Sequence, residues 1–186
     1  MRDAFQLLEH NDPLLWIVTA RAGDRTGGLV ATFVNSASIV PDCPRVTVGL
    51  AHSHHTWELV EASDAFALHL LMASQADWIW RFGLQSGHQC DKFAGMKWHP
   101  GKTGSPLLDE AFGWLECRVE ARMGTGDRTL YLAEVIAAQS TVQAVALTLK
   151  RALELATPDQ VRELKRQRLE DAALDAEAIR RWRGTR

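Results

Sequence analysis

The chain has 186 residues, 46% hydrophobic and 24% charged, with a formal net charge of −2. That fits one globular domain with an appended tail and removes any bulk electrostatic case for nucleic acid or an acidic membrane surface. No apolar run approaches the roughly 18 residues that span a bilayer, and the opening MRDAFQLLEHND has acids where a signal peptide has its apolar core, so a cytoplasmic protein with no membrane partner is expected.

In chain order, LLWIVTA (residues 14–20) reads as a buried strand, and RAGDRTGG after it as turn material, because Gly and Asp tolerate turn dihedrals. LVATFVN (29–35) is a second strand, and RVTVGLA (45–51) a third with period-two alternation. A helix is predicted from His54 to about Ser63, where Trp57, Leu59 and Val60 share a face. AFALHLL (65–71) returns to strand, and ASQADWIWRFG (73–83) is a short helix. GWLECRVEARM and RTLYLAEVIAA are two strands joined by GTGD, whose glycines permit a tight reversal. Hairpin spacing and the strand count predict a closed, six-stranded antiparallel barrel with peripheral helices.

Composition changes near residue 141, which predicts a body over 1–141 and a helical C-terminal extension over 142–186. Val142, Val145, Ala146, Leu149, Leu153 and Ala156 are expected to form one helical face. TPDQ (157–160) has the form of a second helix start: Thr157 to cap, Pro158 in the first turn, Gln160 to complete a capping box.

Three kinds of side chain are candidates for chemistry. Cys43, Cys90 and Cys117 form no CxxC pair and are expected to be reduced, mostly buried thiols. The histidines suggest a metal, but no HxxxH pair exists and His54 and His55 are adjacent, so no metal site is expected. His69, inside a strand, is expected to be a hydrogen-bonded core residue. Of the seven tryptophans, Trp78 and Trp80 are the candidates for a lid.

The stretch from Gly27 to Thr56 carries Thr32, Asn35, Ser36, Ser38, Ser53 and Thr56 where a plain strand pair would have apolar residues. Two readings are open. NSASIVPDCP is a long hairpin loop built on turn formers, or the hydroxyls and backbone N–H groups form a site for a phosphate and a polar ring. SHHT opens a helix whose free N–H groups favour an anion, and His54 and His55 are placed to add charge.

The order of segments resembles the flavin reductase-like family, whose members fold as an FMN-binding split β-barrel. The matching residues are GLVATFVNSAS, PRVTVGL, HSHHTWELVEASDAFALHLL, RFGLQSG, DKFAG, GSPLLDEAFGWLECRV and GDRTLYLAEV, together covering roughly residues 14–140. The resemblance implies that the segment Thr32, Phe33, Val34, Asn35, Ser36, Ala37 and Ser38 lines the flavin ring and ribityl chain. It implies that Ser53, His55 and Thr56 hold the phosphate, and that Lys92 and Phe93 lie near the flavin, often across a subunit boundary. Pro41 and Pro44 are spread apart where the family has adjacent prolines, so the loop differs. The late hairpin has Gly126-Asp127-Arg128 where many NADH-using members have His in third place. Arg128 then either binds a dinucleotide phosphate or is a solvated hairpin charge.

The implied activity is an NAD(P)H-dependent flavin reductase taking FMN, with FAD as the other flavin and a homodimer as the assembly. A monooxygenase or electron-acceptor protein is the implied partner. The alternatives are a flavoredoxin-type FMN electron carrier and a non-catalytic split barrel.

Overall fold

The computed structural model describes residues 2–141 and 145–185. Its elements are α1 (Arg2–Glu9), β1 (Trp16–Ala22), β2 (Arg25–Ala31), β3 (Val34–Ser36), β4 (Arg45–Ala51), α2 (His55–Ser63) and β5 (Ala65–Leu70). A 3₁₀ turn (Ala73–Gln75) leads into α3 (Ala76–Gly83). Then come β6 (Trp98–Pro100), β7 (Pro106–Leu108), β8 (Gly113–Gly124), β9 (Arg128–Ser140), α4 (Leu149–Leu155) and α5 (Pro158–Gly184).

Seven strands make one antiparallel sheet in the order β2-β1-β5-β8-β9-β4-β3, with β6 and β7 paired apart. The two outermost strands are consecutive in the chain: β2 ends at Ala31 and β3 starts at Val34. Two residues cannot bridge a flat seven-stranded sheet, whose strands lie about 4.8 Å apart, so the sheet must curl until its edges come close. The expected six strands become seven at this point, and the barrel expected to be closed is a half-barrel, since β2 and β3 stand at the two edges and do not pair. Residues 29–35 are not one strand; Thr32 and Phe33 break the ladder where the chain changes edges.

The turn expected over RAGDRTGG is two residues long. Ala22 pairs with Arg25, and pairing continues to Trp16 with Ala31. Gly23 takes φ +60°, the conformation a two-residue hairpin needs at its first central position and one that glycine adopts without a Cβ clash. β8 and β9 are long, 12 and 13 residues. Their register shifts at Glu116/Cys117 and at Val119/Ala121, bulges that add the coiling a curled sheet requires.

β1 is buried on both faces, which explains its unbroken apolar run. Val18 and Ala20 join Leu68, Tyr131 and Ala133 in one core cluster. Leu15 and Ile17 join Phe82, Phe93, Leu108 and Leu147 in the other. His69 bridges the layers, fully buried. The Leu108 N–H donates to its Nε2 at 3.1 Å, so Nδ1 carries the proton and donates to the Ile17 carbonyl at 3.2 Å. Cys117 is buried as expected, but Cys43 and Cys90 are exposed; all three are free.

The face expected over residues 142–156 is only partly helical. Val142 lies outside the described residues. Ala146 and Thr148 instead make bridges to Met72 and Leu14. Leu147 is 1% exposed while Val145 is 88% exposed, the alternation of extended chain. The physical cause is backbone pairing: the Leu147 N–H donates to Leu71 and its carbonyl accepts from Leu15. Helix α4 starts only at Leu149, with the Thr148 hydroxyl accepting from the Arg151 N–H.

α5 begins at the capping box read from the sequence. Thr157 Oγ1 accepts from Gln160 N at 3.2 Å, and Gln160 Oε1 accepts from Thr157 N at 2.9 Å. The helix is 27 residues long and buries none of them. No helix among the described residues is long and apolar enough to cross a membrane.

Candidate functional site

The break between β2 and β3 opens a cavity of about 1170 Å³. Thr32, Phe33, Val34, Asn35, Ser36 and Ser38 line it together with Leu14, Leu149 and Leu153. Ala37 is not among the lining residues; its N–H donates to the Arg45 carbonyl at 2.8 Å and holds the segment to β4. Part of the serine chemistry is local. Ser36 Oγ donates to the Ser38 carbonyl at 3.1 Å, and Ser38 Oγ accepts from the Val40 N–H at 3.0 Å. The turn reading therefore holds for these two hydroxyls, and the same segment still walls a large cavity.

A second cavity of about 270 Å³ lies at the start of α2. Ser53, His54, His55 and Thr56 form one side, Gly28 and Lys92 another, and Gln167, Glu170 and Asp171 of α5 close it. His54 is the N-cap, extended at φ −90° and ψ 131°, and its side chain makes no cap hydrogen bond. The first N–H groups of α2 thus have no side-chain cap, and such groups attract anions. Thr56 is 2% exposed. His55 Nδ1 is buried with no hydrogen-bond partner. Gly27 and Gly87 permit this packing, since a Cβ at either would lie 3.0 Å from that nitrogen.

Lys92 is 6% exposed. Its ammonium donates to the carbonyls of Gly28 and Phe82, at 2.9 and 2.8 Å. Both acceptors are neutral, so burial pulls the Lys92 pKa down to about 8. His55 is also pushed below its ordinary value, first by burial and then by His88. That shift disfavours the charge that His55 is placed to add at the helix start.

Arg128 opens β9 and lines neither cavity, but it packs on Phe33, which lines the larger one. Its guanidinium lies 4.8 Å from the centroid of the Phe33 ring and pairs with Asp127 at 2.5 Å and Asp175 at 2.9 Å. It is not a solvated hairpin charge. Its field and that of Lys92 both act on His54.

Three expected residues sit elsewhere. Phe93 is 5% exposed and T-stacked on Phe82 at 5.5 Å; its ring fills the second core and lines neither cavity. Trp78 and Trp80 pack against that same core rather than forming a lid, as an amphipathic helix over a sheet requires. Sequence reasoning also missed the α5 residues that close the smaller cavity. Their signal is helical spacing, since Gln167 lies three residues before Glu170 and four before Asp171, which puts them on one helical face. The structure further gathers His55, Glu58 and His88 with ligand atoms within 4.8 Å of one another. Glu58 there meets Arg25 at 3.5 Å and His88 at 3.6 Å.

Residues 10–151 match the family model described as the flavin reductase like domain. The chain belongs to that family. Relatives of this flavin reductase-like chain include the ferric-chelate reductase (NAD(P)H) of Archaeoglobus fulgidus, 30% identical over 72% of this chain and 79% of that protein. Diflavin flavoprotein A 1 of Synechocystis is 32% identical over 65% of this chain and 21% of its own length. The chain thus spans about a fifth of that relative. Among solved structures, the NADH:FAD oxidoreductase of Streptomyces globisporus superposes with a TM-score of 0.69 at 26% identity, covering 79% of this chain and 89% of that one. These comparisons show a flavin reductase-like domain of mainly antiparallel β fold.

Proposed function

We propose that the chain is an NAD(P)H-dependent flavin reductase that binds FMN, with the phosphate in the smaller cavity and the ring along residues 32–38. The observation that carries this reading is the Lys92 ammonium, buried against two carbonyls beside the uncapped start of α2. A buried cation without a counter-ion is costly, and an anion in the cavity relieves it. The orphaned His55 Nδ1 supplies one more polar atom for the same ligand. The residues present fit a flavin phosphate.

When bound, FMN supplies the ring that accepts a hydride from NADH or NADPH. The chain's own residues bind and orient. The Thr56 hydroxyl and the first N–H groups of α2 would hold the phosphate oxygens, and Lys92 would balance their charge. The backbone of residues 32–38 would hold the polar edge of the ring. Arg128, stacked on Phe33, would bind a dinucleotide phosphate. No side-chain acid or base is needed for this chemistry.

The working form is a cytoplasmic homodimer that passes electrons to a monooxygenase or other acceptor protein. Exposed apolar residues around the larger cavity support the dimer: Leu8, Phe33, Val40 and the fully exposed Ile39. The test is anaerobic mixing of protein, FMN and NADH or NADPH, followed by the flavin absorbance. Bleaching that depends on protein and reductant supports the activity. No bleaching, or no change in flavin fluorescence at tens of micromolar protein, refutes it.

A further inference from the structure

α5 lies beyond the family match, which ends at residue 151, and it buries no residue of its own. It is nevertheless attached to the body along one stripe. Gln167 Nε2 donates to the Leu84 carbonyl at 3.1 Å. Asp175 pairs with Arg128 at 2.9 Å. Further along, Trp182, Ala178 and Ile179 sit against Gly126, where an added Cβ would come within 2.7 Å of Trp182. The members of this stripe are separated by sums of three- and four-residue steps, Gln167 to Asp175 to Ala178 or Ile179 to Trp182, the spacing of one helical face.

Asp171 occupies the same stripe, four residues from both Gln167 and Asp175, and lines the smaller cavity with Lys92, Ser53 and Thr56. Its neighbour Glu170 pairs with Arg166 at 2.6 Å, a guanidinium that it shares with Glu163. Asp171 makes no ion pair among the described residues. Its field reaches the cavity, since it acts directly on the His54 imidazole.

We propose that α5 is an anionic strap across the flavin-phosphate cavity, and that Asp171 weakens retention of the phosphate so that FMN exchanges as a substrate. This rests on reading the 53–56 turn and Lys92 as the phosphate site. A phosphate dianion there meets the Lys92 ammonium and, from α5, the Asp171 carboxylate, whose repulsion offsets part of the attraction. The helix is fixed on both sides of Asp171, by Gln167 and by Asp175, so α5 cannot lift Asp171 off the cavity without breaking an anchor. The selectivity that follows is by charge: the strap penalises the phosphate of FMN and leaves riboflavin, which lacks it, unaffected.

The experiment is equilibrium binding of FMN and of riboflavin to the full chain, by flavin fluorescence at low salt, for wild type, Asp171→Asn and Asp171→Lys. Asp171 is exposed, so neither substitution removes core packing. FMN should bind about three- to tenfold more tightly to Asp171→Asn and tighter again to Asp171→Lys, the scale of one partly screened charge. Riboflavin affinity should stay within about twofold, and molar salt should erase the FMN gain. Unchanged or weaker FMN binding in Asp171→Asn overturns the strap while the phosphate reading stands. Equal gains for both flavins overturn it too, because charge is then not what is read. If wild type binds FMN no better than riboflavin and no variant separates them, the phosphate site itself is wrong, and the strap falls with it.

Discussion

The Lys92 ammonium lies 2.9 Å from the Gly28 carbonyl oxygen, a buried cation facing the strand that walls the smaller cavity. Burial lowers its pKa to about 8, against 10.5 for a free lysine. Between those values the unfolded chain binds more protons than the folded one, so flavin-free protein gains stability as pH rises through the window. Phosphate reverses the balance by favouring the ammonium. FMN binding should therefore take up a proton near pH 8, and FMN affinity should be full below that pH and fall above it. Isothermal titration in two buffers of different ionisation heat checks this. Lys92→Met should remove the pH dependence and weaken FMN roughly tenfold or more; a flat profile in wild type counts against the phosphate assignment.

Thr56 faces the same cavity at 2% exposure. Losing a hydrogen bond to a charged phosphate costs about 1.5–3 kcal/mol, so Thr56→Ala should weaken FMN roughly tenfold or more and riboflavin far less. Stability without flavin should fall by only about 1 kcal/mol, the scale of one buried methyl group. Equal loss for the two flavins would mark Thr56 as a structural residue.

Arg128 is fixed between Asp127, Asp175 and the Phe33 ring. If it meets the dinucleotide, Arg128→Ala should raise KM for NADPH or NADH about tenfold with kcat little changed, the mark of lost binding that is uniform between ground and transition states. Steady-state kinetics with each nicotinamide checks it. Unchanged KM for both would leave Arg128 as an anchor for α5 alone.

Much of this geometry was legible in the residues. The strand RVTVGLA has the bounds its alternation predicts, Arg45–Ala51, because one face is buried and register is then fixed. The Thr157 capping box is local chemistry and needs no tertiary context. The break at Thr32 and Phe33 was hidden, because an apolar run does not reveal where a chain passes from one sheet edge to the other. Residues 145–148 misled for the opposite reason. Their periodicity suits a helix, but the free backbone groups of Leu15 and Leu71 capture Leu147. The position of Asp171 was beyond sequence altogether, since α5 docks by side-chain anchors scattered over Leu84, Gly126 and Arg128.

His69 offers a test of the fold that is independent of any ligand. Its ring is fully buried, donating to Ile17 and accepting from Leu108. Burial is the main cause of a pKa lowered to about 4, below the ordinary 6.5. The ring therefore stays neutral in the folded chain while the unfolded chain takes up a proton across that window. Stability rises with pH between about 4 and 6.5 and is lost as pH falls through it. At pH 5 the loss from this one group should be about 2 kcal/mol relative to pH 7.5. His69→Gln removes the titration, at a cost of about 1–3 kcal/mol at neutral pH for imperfect hydrogen bonds to Ile17 and Leu108. Urea unfolding of both proteins at pH 7.5 and 5 measures the difference. The variant should lose about 2 kcal/mol less than wild type on acidification. Parallel losses in the two proteins would mean that the imidazole is protonated in the fold and that its bond to the Leu108 N–H is not made.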